Sequence, residues 1–153
     1  MIKYTLMAFL ILASCARPKY LKTDVQDPSQ KPTEIAALCH LKFSNSGLCL
    51  SWFWEGEPPA SGQVSSLIFK IYRLNAFDQT PIEVSPEGSL EVKLWMPDMG
   101  HGSTPVNVEE LDEGTFRASK ILFIMTGHWE IEFHHKQVNT EEMVSVRYDI
   151  SGN

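Results

Sequence analysis

The sequence has no apolar run long enough to cross a bilayer as a helix. Its N-terminal run, Leu6 to Ala13, falls well short of the roughly 20 residues that such a span needs. Basic clusters are also missing: 13 Lys and Arg stand against 19 Asp and Glu, a formal net charge of −6. That balance argues against nucleic acid as a partner and against electrostatic docking on anionic lipid. There is no Gly-rich phosphate loop, no H-E-x-x-H and no G-x-S-x-G, so no enzyme is expected. No segment holds a helical period over three turns, and there is no internal repeat. Cysteine is scarce, at three residues, and each one is informative.

The first cysteine, Cys15, closes "MIKYTLMAFLILASC", a short basic start followed by an apolar run and small residues. This is the form of a secretory signal. "LASC" resembles the lipobox of bacterial lipoproteins, where cleavage precedes the cysteine and its sulfur and new amino group are acylated. Expected are a signal peptide over residues 1–14, then a lipidated Cys15 and a flexible tether over 15–34, which carries three prolines and no apolar period. Each buried methylene contributes about 0.8 kcal/mol, so several acyl chains would hold the protein to the membrane durably. Ala16, rather than Asp, follows the cysteine; by the same resemblance this points to the outer membrane, facing the periplasm.

Cys39 and Cys49 lie in "ALCHLKFSNSGLCLSWFW". Outside the cytoplasm such a pair is expected to form a disulfide. "SNSG" is a turn signal that sets the two on adjacent strands of a hairpin. A metal pair with His40 is the competing reading, disfavoured because thiols oxidise in that compartment.

Beyond residue 35 the chain reads as short segments of period two with turn residues between them. "SLEVKLWM" (89–96) sets Leu90, Val92 and Leu94 against Glu91 and Lys93. "GHWEIEFHH" (127–135) sets Trp129, Ile131 and Phe133 against His128, Glu130, Glu132 and His134. Further strands are expected at 65–74, 104–111, 114–125 and 143–150. Such alternation implies sheets buried on one face and wet on the other. Seven or eight such strands predict an all-β fold over 35–153, an immunoglobulin-like antiparallel β-sandwich forming a single domain.

"LWMPDMGHGSTPV" (94–106) and the later "GTFRASKILFIMTGHWEIEF" (114–133) together resemble the YtkA-like and FixH-like extracytoplasmic domains. Their pattern pairs a Met-Pro-x-Met-x-His loop with Gly-x-Phe/Tyr and then Phe-x-Met-x-Gly-x-Trp. The matching residues are Met96, Pro97, Met99, Gly100 and His101, then Gly114, Phe116, Phe123, Met125, Gly127 and Trp129. The resemblance implies an immunoglobulin-like sandwich in the cell envelope. Some relatives are linked to assembly of copper-containing respiratory oxidases.

Thioether sulfur and imidazole nitrogen bind copper without being lost to a disulfide, and soft sulfur favours Cu(I). Met96, Met99 and His101 offer that set in the spacing M-x2-M-x-H, with Gly100 and Gly102 free to let the backbone curl. A turn at "IMTGHW" on the same end of the sandwich would add Met125 and His128. The competing reading is structural. Met96 continues the phase of Leu94, and Met125 continues that of Ile121 and Phe123, so both have core positions as adaptable filler. Trp95 and Trp129 would then cover Met99 and His101, leaving the loop as a rigid structural or protein-binding edge. His134 and His135, adjacent on a strand, face opposite ways and form no chelate. The acidic run Glu109, Glu110, Asp112 and Glu113 reads as a solvated hairpin tip. The function expected is that of a lipid-anchored envelope accessory protein handling copper or assisting oxidase assembly. The alternative is a non-catalytic module that binds an envelope protein partner.

Overall fold

Period-two alternation is clearest over residues 89–96, 115–122 and 127–136. A computed structural model describes residues 39–151, and its regular structure is entirely β-strand. The signal peptide, Cys15 and tether expected over 1–34 lie outside the described residues.

The strands are β1 (Leu41–Lys42), β2 (Cys49–Trp54), β3 (Val64–Leu74), β4 (Pro81–Glu83), β5 (Ser89–Met96), β6 (His101–Gly102), β7 (Asn107–Asp112), β8 (Thr115–Leu122), β9 (Gly127–Lys136) and β10 (Glu141–Ile150). All pair antiparallel. One sheet runs β1-β2-β3-β8-β7, with β4 on the end of β3; the other runs β10-β9-β5-β6. Reading β2 as the first strand, these orders are the A-B-E-D and G-F-C-C′ sheets of the immunoglobulin topology. The expected antiparallel β-sandwich is therefore the fold observed.

The two inner faces supply the core. Leu50, Leu67, Phe69, Ile71, Phe116 and Ile121 from one sheet close over Val92, Leu94, Trp129, Ile131 and Phe133 from the other. Phe69 is central: it stacks on Phe116 at 5.2 Å and meets Phe133 edge-on at 5.4 Å across the sandwich. Each such side chain contributes about 1.5–3 kcal/mol on burial. Outward positions of β9 carry His128, Glu130, Glu132 and His134, as the alternation requires.

Cys39 and Cys49 form a disulfide. It fastens the chain entering β1 to β2 and joins one sheet to itself, unlike the inter-sheet bridge of antibody domains. At the end of the sandwich where β5 and β8 finish, the β5–β6 turn and the β8–β9 loop come together, and they carry the methionines and histidine singled out above.

Candidate functional site

β5 ends with Met96 facing inward, 5% exposed, and Trp95 facing outward, 38% exposed. Pro97 lacks the N–H that would continue a ladder, and the chain reverses over 97–100. The Gly100 N–H donates to the Met96 carbonyl at 2.9 Å, and the Met99 N–H donates to the same oxygen at 3.2 Å. Gly100 takes φ +66°, which glycine adopts without a Cβ penalty. Met99 is left near the tip of the turn, 61% exposed.

His101 pairs with Met96 across the ladder. Cross-strand partners share a face, so its ring returns to the inner side and meets the Trp129 ring edge-on, 5.9 Å between centroids. Its Nδ1 lies 3.1 Å from the Gly102 carbonyl oxygen. A carbonyl only accepts, so this contact is made by the tautomer with its proton on Nδ1, the one that leaves the Nε2 lone pair to a metal.

The second turn comes from the other sheet. β8 pairs with β3 as far as Leu122. Phe123 stays buried, and its carbonyl accepts the Gly62 N–H at 2.8 Å. The chain then swings out, leaving Ile124 and Met125 exposed, Met125 by 37%. The phase of Ile121 and Phe123 therefore does not carry through to Met125. The expectation that this side chain is buried is corrected, because strand pairing ends before it.

Gly127 opens β9 against Met96. Its φ is +131°, and a Cβ there would collide with the Met96 methyl group. Two residues on, the fully buried Trp129 donates its indole N–H to the Met125 carbonyl at 3.0 Å. This is the arrangement of a tyrosine corner, with an aromatic side chain at the start of strand F, here β9, tied back to the loop before it. Here tryptophan fills the role.

His128 faces the other way. It sits on the outer phase of β9, half exposed, and is hydrogen-bonded to Asp149 of β10. That bond, joined by Arg147 at 3.3 Å, holds the Asp149 carboxyl below the usual carboxylate range despite some desolvation. His128 thus lies on the outer face, away from the inward phase of Met96 and His101. Trp129 and Met96 are the buried side chains beneath the two turns.

The donors left near the surface are the thioethers of Met99 and Met125 and the imidazole Nε2 of His101, with Met96 as buried support. Among the described residues, no three His, Cys, Asp or Glu side chains come together as a metal-binding group, and Cys39 and Cys49 are engaged with each other. Two soft thioethers with an imidazole are a donor set of the kind that fits Cu(I).

Residues 56–134 match the YtkA-like family. The chain belongs to that family. No curated protein and no solved structure matches it. The YtkA-like region runs from the β2–β3 loop to His134. It takes in Met96, Met99, His101, Met125 and His128 and leaves β1, β2 and β10 outside.

In this YtkA-like chain, two features were not legible from donor spacing alone, one packed under the site and one that holds His128 away from it. Gly127 reads as a turn residue, and only the structure shows its φ of +131° and its contact with the Met96 methyl group, which together disfavour a side chain. Asp149 lies 21 residues from His128. The register that pairs them follows from the length of the β9–β10 turn, which the sequence had left open.

Proposed function

We propose that the protein is a lipid-anchored, non-catalytic accessory protein of the cell envelope that binds Cu(I) in transit to a metalloprotein, through Met99, His101 and Met125. The observation that carries this reading is the pair of turns meeting at Trp129. One offers an exposed thioether and an imidazole whose Nδ1 is already committed; the other offers a second thioether. Met96 lies beneath as support, and His128 is outside the set. When bound, copper supplies a soft cation that can be passed on. The chain's part is to hold it at an exposed rim from which an acceptor can take it. The acylated Cys15 would fix that rim to the outer membrane, facing the periplasm.

A second reading is supported by Ile124, which is 45% exposed beside Met125 and has no donor atom. An apolar rim of Met99, Ile124 and Met125 would suit docking of an envelope protein without metal.

Competition titration with a chromophoric Cu(I) chelator tests the first reading. The wild-type protein is expected to bind one Cu(I) more tightly than micromolar, and Met99→Ala/His101→Ala to lose about tenfold or more. Micromolar or weaker binding by the wild type sinks it. If the double substitution abolishes capture of an envelope partner while bound metal is unchanged, the second reading takes its place.

A further inference from the structure

We infer that Trp129 is the positioning residue of this donor set, an inference that rests on the soft-cation reading. Two contacts of its side chain reach the turns, one to each. The ring meets the His101 ring edge-on at 5.9 Å, and the indole N–H donates to the Met125 carbonyl at 3.0 Å. The Ser103 hydroxyl also joins the two sheets nearby, at the Leu122 carbonyl, but it reaches the end of β8 rather than the residue that carries the thioether. Trp129 is fully buried, so it cannot itself be a ligand and acts only through the groups it holds.

The ring is fixed from behind. Phe123 packs against it at 5.5 Å and in turn stacks on Tyr148 at 5.4 Å, while Tyr148 is also the ladder partner of Trp129. An anchor this constrained sets the spacing between β6, on the edge of one sheet, and the β8–β9 loop, which leaves the other. The Met125 backbone accepts the indole bond, so the turn is held at the residue that carries the donor. Met99, by contrast, is placed by bonds within its own turn, from the Met99 and Gly100 amides to the Met96 carbonyl. Removing the indole N–H should therefore detach Met125 from the set while leaving Met99 and His101 in place.

The test follows the two methionines separately. Wild-type protein with ¹³C-methyl methionine and ¹⁵N-indole labels is titrated with Ag(I), a diamagnetic soft cation. The Met99 and Met125 methyl resonances and the Trp129 indole resonance are expected to move together to one saturation point. In Trp129→Phe, which keeps an aromatic ring but not the N–H, Met99 should still respond. Met125 should require roughly tenfold more Ag(I), the expected cost of lost preorganisation. If Met99 and Met125 still saturate together at wild-type affinity, the inference is overturned. Should Trp129→Phe fail to fold, the wild-type indole decides: a Trp129 resonance that stays fixed while both methyls shift also overturns it. If neither methyl moves in the wild type, the soft-cation reading falls and takes this inference with it.

Discussion

At the residue scale, the site depends on what lies under the donors. Met96 belongs to the core by the phase of β5, and its methyl group packs on Gly127, whose positive φ favours glycine. Gly127→Ala introduces a clash and places a side chain at φ +131°. Met96 can yield at its flexible end, but the backbone strain remains. The substitution is expected to destabilise the protein by about 1–3 kcal/mol, read as a lower urea midpoint with unchanged slope. It should also weaken cation binding, since the β8–β9 loop is displaced. A midpoint within error of the wild type would show that the close fit between Gly127 and Met96 is not a constraint. The sequence announced Met99 and His101 as residues without a core explanation, and Met99 is indeed exposed. It misjudged Met125 because alternation describes a strand only while pairing lasts, and β8 stops at Leu122.

At the element scale, the strands were legible where the two faces differ chemically. β5 and the start of β9 were plain for that reason. The expected strand at 104–111 instead starts at Asn107, because residues 103–106 carry the chain from one sheet to the other. There the Ser103 N–H caps the Leu94 carbonyl before the path diverges. The far end of the sandwich shows another contact with no local sequence signal. Glu142 of β10 accepts the Asn45 N–H at 2.9 Å and the Ser46 N–H at 3.2 Å, and lies 3.3 Å from the Nδ1 of buried His135. Burial alone would raise the Glu142 carboxyl, but hydrogen bonds from Ser46, Asn45 and His135 outweigh it and hold the group below its ordinary value. A carboxyl depressed in the folded state stabilises fully above its unfolded value and loses that contribution as pH falls through the folded one. Glu142→Gln is therefore expected to cost about 1–3 kcal/mol at neutral pH. The gap to wild type should close on acidification below the ordinary carboxylate range. Urea melts of both proteins across that range check it; a gap independent of pH would mean that the carboxylate charge is not what secures the 43–48 turn.

At the scale of the whole molecule, the fold presents chemically distinct ends. One carries thioethers and an imidazole around Trp129; the other carries His135, Glu142 and the hairpin tips. The proposed anchor at Cys15 would hold this acidic sandwich at a membrane that its charge does not otherwise favour. Cys15→Ser is expected to abolish acyl labelling and release the protein from the membrane fraction with its melting curve unchanged. Persistent acylation or membrane retention would contradict the anchor. The central claim, however, concerns the soft end, and X-ray absorption at the copper edge of the Cu(I)-loaded protein tests it most directly. The account predicts a shell of mixed sulfur and nitrogen that loses nitrogen in His101→Ala and sulfur in Met99→Ala and in Met125→Ala. A shell without sulfur, or one that these substitutions leave unchanged, would contradict it.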